Sequence, residues 1–379
     1  MMNRAGELIV RIIKISFAFL LIILFFPFPS KAAEPVSVSA KAAVLYDPLC
    51  DAVIWGKNET AVLGMASTTK IMTAVVAMEL YDPNKVVEIH PDWCGIEGSS
   101  IYLKAGEKLT VSDLLYGLLL SSGNDAAVAL AGFYSGNIED FVACMNAKAE
   151  ELGLENTHFT NPSGLSEAGH HTTPLELARL TAYAMRQPLF AEIVATEQYV
   201  CGSRVFQNHN KLLQQINACG VKTGYTKADG RCLVSAKEEN GRMLIAVTLS
   251  APDDWKDHKE LYELGFSAFT PSTPVEEGTL FYIPVTGGIN PEVAVYSTES
   301  YTVLLHKDVQ KDVTVRILGP RFVYPEQVKG GKYYGRVQVR CNNALLFESD
   351  LYYANSVPAK GIKITIWQQF LDWLCCLLG

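Results

Sequence analysis

Apolar and polar positions alternate along residues 41–58, "KAAVLYDPLCDAVIWGKN", and break at Asp47-Pro48, a pattern that predicts a β-hairpin. Over 67–81 the apolar positions recur at helical spacing, and "VSDLLYGLLLSSGNDAAVALAGF" reads as two helical runs broken at Ser122-Gly123-Asn124. "IEDFVACMNAKAEELG" and "PLELARLTAYAMRQ" are further amphipathic helices. Strand-like segments follow at roughly 219–225, 231–237 and 242–250, the last two joined by the turn Glu239-Asn240-Gly241. "DWKDHKELYELGFSAF" closes the region as a helix. Strands at both ends with helices between them predict an α/β layered domain over 34–271.

The texture then changes. "TPSTPVEEGT" (270–279) reads as a linker, and 272–356 holds only short alternating segments such as "YTVLLHK", "VTVRIL" and "YGRVQVRC", as in a small all-β domain. The tail, 357–379, differs again. Drawn as a helix, it places Thr365, Gln368, Gln369 and Asp372 on one face and Trp367, Phe370, Leu371, Trp373, Leu374, Leu377 and Leu378 on the rest. It is too short to span a bilayer and suits the membrane interface, with tryptophans at headgroup depth. A helix docked on the β domain is the competing reading. Cys375 and Cys376 read as apolar filling rather than lipid attachment sites.

At the other end, Arg4, Arg11 and Lys14 flank a short apolar core, Ile15 to Phe26, and Ser30-Lys31-Ala32 carries small residues at cleavage positions. Residues 1–33 therefore read as a secretory signal and the protein as one that works outside the cytoplasm. The whole chain of 379 residues carries a net charge of −8 with no basic run, so a nucleic-acid partner is not expected. Nine cysteines leave at least one unpaired. Cys219 and Cys232 flank "GVKTGYTKADGR", where two strands about a turn would bring them face to face; a bridge and two free thiols are both compatible with the pattern. No C-x-x-C or H-E-x-x-H occurs, so no metal or other cofactor is implied.

The candidate chemistry begins at "MASTTKIMTAV". Ser67 and Lys70, three apart on a helix, share one face. The serine is a natural helix-start residue near the positive end of the dipole. The lysine, shielded by Ile71, Met72 and Val75, would lose solvation, which lowers its pKa and frees an amine to act as a base. Alone, S-x-x-K is better explained by a helix cap followed by a surface charge. Ser122-Gly123-Asn124 at a helix break and Lys222-Thr223-Gly224 on a strand complete an ordered set: S-x-x-K, S-x-N, K-T-G.

That set, with a secreted start, a small β domain and an amphipathic tail, resembles a low-molecular-weight penicillin-binding protein, a D-alanyl-D-alanine carboxypeptidase. "NPSGLSEAGHHTT" and "FQNHNKLL" also look like segments of that family. The resemblance implies a serine β-lactamase/D,D-peptidase-like α/β (α+β) domain whose antiparallel sheet is flanked by helices. It implies a substrate, the peptidoglycan stem peptide ending in D-Ala-D-Ala, and β-lactams as inhibitors. Carried over residue by residue, Ser67 attacks and Lys70 takes its proton, while Ser122 and Lys222 relay a proton to the leaving amine and Asn124 bonds the substrate amide. Lys222 and Thr223 meet the terminal carboxylate, Gly224 lets the substrate lie close, and the N–H groups of Ser67 and Tyr225 form the oxyanion hole. Tyr225 departs from the histidine common after K-T-G. His170, His171 and His209 read as structural or simply exposed. The alternatives are a β-lactamase, for which Glu155 and Glu167 are the available bases, and a non-catalytic wall-binding protein, which would not require all of Ser67, Lys70, Ser122 and Lys222.

Overall fold

The structure, a computed structural model, describes residues 36–306, 313–341, 344–360 and 366–378; the expected signal, 1–33, lies outside them. The first hairpin forms as the alternation predicts, from β1 (Ala42–Asp47) and β2 (Ala52–Lys57), and the Asp47 carboxylate accepts the N–H groups of Leu49 and Cys50 in the turn. A 3-10 turn, Ala66–Thr69, runs into α1 (Lys70–Leu80). A ribbon of β3 (Val86–Glu88) and β4 (Lys108–Thr110) leads to α2 (Val111–Leu120), started by a reciprocal capping box between Thr110 and Asp113. Then come α3 (Asn124–Ser135), α4 (Ile138–Glu151), α5 (Pro174–Met185) and α6 (Pro188–Ala195). The hairpin β5 (Gln198–Cys201) and β6 (Arg204–Gln207) and the short α7 (Leu212–Ile216) precede β7 (Gly220–Thr226), β8 (Gly230–Glu239) and β9 (Arg242–Leu249), and α8 (Asp254–Ala268) follows.

The main sheet runs β2-β1-β9-β8-β7 and is antiparallel throughout. Alternation along β8 shows its two faces. Cys232, Val234 and Ala236 enter the large core shared with α1 to α6, whereas Leu233 meets Trp255 of α8, and Ser235 hydrogen-bonds His258 and Tyr262 of the same helix. The sheet is thus covered by helices on both faces, and β2 and β7 form its two edges.

The second unit of the fold starts where a linker was expected. Residues 269–275 are instead a strand, β10 (Phe269–Val275), following directly on α8. Pro271 and Pro274 are tolerated because β10 is paired on one side only and its register shifts between Ser272 and Val275. It is followed by β11 (Leu280–Pro284), β12 (Glu292–Ser297), β13 (Tyr301–His306), β14 (Val313–Leu318), β15 (Tyr333–Cys341) and β16 (Ala344–Tyr353). β10 pairs with β13, and the rest form a sheet in the order β11-β12-β16-β15-β14 over a core of Val293, Val295, Val337, Val339 and Leu351. The tail forms α9 (Ile366–Leu378), whose Trp367, Phe370, Leu371, Trp373 and Leu374 are exposed. Thr365, expected on its polar face, lies outside the described residues. Among the described residues no helix is long and apolar enough to cross a membrane.

The cysteine pairing across the β7–β8 turn does not form. Cys232 lies opposite Gly224, while Cys219 bonds Ala236, four positions further along β8, which is on the order of 13 Å at strand rise and beyond disulfide reach; both thiols are free.

Candidate active site

Ser67 does not cap the helix, as its residue type suggested; it lies inside the 3-10 turn that precedes α1, and Met65 occupies the N-cap position with no side-chain cap. The turn is strained: Ala66 has φ +47°, a left-handed conformation that a residue with a Cβ seldom adopts. A buried chain of hydrogen bonds holds it. The N–H of Thr160 donates to His170 Nδ1 at 3.1 Å, so the imidazole proton sits on Nε2, which donates to Thr69 Oγ1 at 2.7 Å. Thr69 Oγ1 in turn donates to the carbonyl of Ala66 at 2.8 Å. Burial pushes His170 down to about 4, so it remains the neutral tautomer this chain requires. Gly164 (φ +82°) closes the turn from outside, where a Cβ would fall 2.0 Å from the Ala66 carbonyl oxygen.

Lys70 opens α1 and is fully buried. Its Nζ lies 2.9 Å from Ser67 Oγ and 2.7 Å from Asn124 Oδ1, and it also donates to the carbonyl of Ser163. Burial and the nearby Lys222 ammonium hold its pKa well below the lysine range. The three partners decide where the lone pair points once the amine has given up its proton. Asn124 Oδ1 and the Ser163 carbonyl only accept, so the amine's two remaining N–H groups go to them and its lone pair faces the one partner with a proton to give, Ser67. The orientation of Asn124 is fixed because its Nδ2 donates to the carbonyl of Glu97 at 2.6 Å.

Ser122, 5% exposed with φ +61°, is held in the break between α2 and α3. Asn124 begins α3, and Asp125 next to it accepts the N–H groups of Ile101 and Leu103 and the Ser100 hydroxyl, pinning the loop that carries Ser99 over the site. On β7, Lys222 is 1% exposed, donates to the carbonyl of Thr223 at 2.8 Å, and is pushed down to about 7 by burial. Gly224 is required by a close approach: a Cβ there would sit 2.9 Å from the Ser67 nitrogen and 3.1 Å from Ala66 Cβ. The glycine thus lets the strand edge abut the nucleophile's turn.

A cleft of about 570 Å³ joins these parts, with Ser67, Ser122, Thr223, Gly224 and Tyr225 in its wall together with Arg231, Asp254 and Trp255. Lys70, Asn124 and Lys222 stand behind that wall, buried. The structure therefore gathers every residue singled out from the three motifs. His209 also lines the cleft, while Asn208 and Asn210 satisfy backbone carbonyls of Val194, Thr196 and Gly220. Glu155 borders a separate cavity with His158, and the exposed Glu167 accepts from Asn161; neither lines the cleft of Ser67. Sequence reasoning missed Ser99, Asp125 and Ser163, which act through backbone groups or short loops and leave no pattern, and Arg231, which reads there as part of a turn.

Comparison with known proteins points the same way. Residues 29–253 match the family model described as D-alanyl-D-alanine carboxypeptidase, and 269–359 match that of the penicillin-binding protein 5 C-terminal domain. The chain is 29% identical over 365 residues to the D-alanyl-D-alanine carboxypeptidase DacF of Bacillus subtilis, covering 90% of this chain and 92% of that one. It is 35% identical over 228 residues to the D-alanyl-D-alanine carboxypeptidase DacB2 of Mycobacterium tuberculosis, covering 57% and 78%. The solved structure of penicillin binding protein 5 from Haemophilus influenzae aligns with a TM-score of 0.72 at 27% identity, over 86% of this chain and 99% of that one.

Proposed function

Because the chain belongs to the D-alanyl-D-alanine carboxypeptidase family of serine hydrolases, we propose that Ser67 is its nucleophile and that it removes the terminal D-alanine from peptidoglycan stem pentapeptides. The observation that carries this reading is the buried Nζ of Lys70, 2.9 Å from Ser67 Oγ, with two other partners, Asn124 Oδ1 and the Ser163 carbonyl, that can only accept. Lys70 takes the hydroxyl proton as Ser67 Oγ bonds to the carbonyl carbon between the two D-alanines. The N–H groups of Ser67 and Tyr225 hold the oxyanion. The C–N bond then breaks as Ser122, backed by Lys222, gives its proton to the leaving amine and regains one from Lys70, which returns to the neutral amine. Water then bonds to the acyl carbon as Lys70 takes its proton, the bond from that carbon to Ser67 Oγ breaks, and Lys70 returns the proton to Oγ. Asn124, expected to meet the substrate amide, has its oxygen on Lys70 and its nitrogen on the Glu97 carbonyl and so orients the base instead, and Thr223 gives its hydroxyl to the terminal carboxylate.

The test uses a fluorescent penicillin and a peptide ending in D-Ala-D-Ala. The wild type is expected to label covalently and to release D-alanine, and Ser67→Ala to lose both while staying folded. Labelling that persists in Ser67→Ala assigns the nucleophile elsewhere. Rapid penicillin turnover without D-alanine release makes the protein a β-lactamase.

The site of action proposed is the outer face of the cytoplasmic membrane, after export through 1–33 and attachment by the tail. The support is α9, with two exposed tryptophans and four other exposed apolar side chains, Ile366, Phe370, Leu371 and Leu374. Deleting 362–379 is expected to free the protein from sedimenting membranes; co-sedimentation of the truncated chain rules this attachment out.

A further inference from the structure

The chain leaves the β domain at one end of the second sheet, and two turns hold it there. At that end β11 gives way to β12, with Pro284 opposite Glu292, and β16 finishes where β15 starts, with Tyr352 opposite Tyr333. The turn between β11 and β12 grips the departing segment. The N–H of Ile289 donates to the carbonyl of Pro358 at 2.9 Å, and that of Lys360 donates to the carbonyl of Gly287 at 2.9 Å. Gly288 packs so closely that a Cβ would lie 2.7 Å from Val285 and 2.9 Å from Val357. From the other side, the N–H of Gly330 donates to Ser356 Oγ at 3.1 Å and that of Gly331 to the carbonyl of Tyr353 at 2.7 Å.

The side chains at this end are of two kinds. Ile289, on a turn pinned this firmly, is 56% exposed. Lys329 and Lys332 lie on one turn and Lys360 on the departing segment beside the other; all three are exposed, and none makes an ion pair among the described residues. With Arg321 they outnumber the exposed carboxylates of this end, Glu292 and Glu326. The tail has the opposite character. Over α9, Asp372 is the single charged side chain, so the helix offers a bilayer apolar surface and no attraction to anionic lipid. Only residues 361–365 join Lys360 to Ile366, and a link of that length reaches no further than about 22 Å. A helix lying in the interface therefore keeps the lysine-bearing end of the β domain within that distance of the headgroups.

We propose that this end of the β domain is a second membrane contact, in which Lys329, Lys332 and Lys360 meet anionic phospholipid headgroups while Ile289 enters the interface. This rests on the tail attachment proposed above and adds to it the surface that reads lipid charge. The helix supplies apolar burial, and the end of the sheet supplies charge. A tether this short makes the second contact effectively intramolecular, so it acts even where it is too weak to bind alone.

The test measures partition of the exported protein onto two kinds of vesicle, phosphatidylcholine alone and equal parts phosphatidylcholine and phosphatidylglycerol. The wild type is expected to bind both and to prefer the anionic kind, with a preference that fades as salt rises. The triple variant Lys329→Gln, Lys332→Gln, Lys360→Gln is expected to bind anionic vesicles about 10–100-fold more weakly, the range for three lysines at a charged surface, and phosphatidylcholine within about twofold of wild type. Ile289→Gln is expected to lose about 3–10-fold on both kinds through lost apolar burial; no loss there overturns the insertion. Penicillin labelling at the wild-type rate reports that each variant is folded, and the single lysine variants carry the test if the triple one is not. A wild type without preference for anionic vesicles, or a preference that survives in the lysine variants, would overturn the proposal. The tail is read on phosphatidylcholine and the lysines on the difference between the two vesicles, so the two readings fail separately. Lysine-dependent binding to anionic vesicles alone would remove the tail and keep this contact, and binding to neither would remove both.

Discussion

The molecule contains two five-stranded antiparallel sheets, and they bury different things. Around β2-β1-β9-β8-β7 the interior holds Lys70, Lys222, Asp125, Asn124 and Ser122. Within β11-β12-β16-β15-β14 and its cover, the buried polar side chains among the described residues are two serines, Ser297 and Ser349. Backbone strain divides in the same way: all eight described non-glycine residues with positive φ precede residue 251; one of them, Ser122, lines the cleft, and another, Ala66, lies in the turn that carries Ser67. Buried cations and left-handed backbone both cost free energy, so a fold keeps them only where surrounding contacts compel them. The first sheet supports a strained, polar site; the second is a hydrophobic sandwich layer with ordinary alternation. The difference marks where chemistry resides without reference to any relative.

The largest effect expected on that division comes from Gly224→Ala. The added methyl group would press on the Ser67 nitrogen and Ala66 from 2.9 and 3.1 Å and move the strand edge from the nucleophile's turn. Penicillin acylation is expected to slow by about 10²–10³, the value of one misplaced oxyanion donor, with a small change in Tm. Acylation within threefold of wild type, a roughly unchanged barrier, would show that the close approach does not shape the site. The opposite profile is expected in the second sheet. Leu351, fully buried, when cut to alanine should destabilise the β domain by about 2–5 kcal/mol while Ser67 acylates at the wild-type rate. A matching loss of acylation would mean that the two regions share their stability.

Much of the first region could be read from the chain, for physical reasons. Helices from α1 to α5 and the strands β7 to β9 carry strong periodicity, and the S-x-x-K, S-x-N and K-T-G residues are chemically distinctive. The structure brings Ser67, Lys70, Ser122, Asn124 and Lys222 to one place. What was hidden depends on register or on backbone atoms. Two prolines made β10 look like a linker, because sequence does not show that its other side needs no partner. Cys219 and Cys232 looked opposed until the register set Gly224 against Cys232. The Ser163 carbonyl that directs the Lys70 lone pair has no side-chain signature. Arg231 sits in "KADGR", where turn residues mask it, and its partner Asp254 is 23 positions away.

The smallest expected effect is in the pH dependence of stability, and it tests the buried charge itself. Lys222 is pushed down to about 7 in the folded protein by burial, while in the unfolded chain a lysine keeps its proton to about 10.4. Below about 7 both states carry the charge, so the folded state bears the full cost of burying it. Between about 7 and 10.4 the unfolded chain binds a proton that the folded one has released, and stability rises with pH across that window. Lys70, lowered by the same cause, contributes with the same sign. The Tm of wild type relative to Lys222→Met should therefore be lowest near pH 6 and gain a few degrees by pH 9. The second sheet buries no lysine among its described residues and contributes nothing to this difference. Parallel Tm curves for the two proteins would mean that Lys222 does not release its proton in this range. The buried cation would then be stabilised by a partner that the site's geometry does not provide, and the division between a strained polar sheet and a relaxed apolar one would lose its energetic basis.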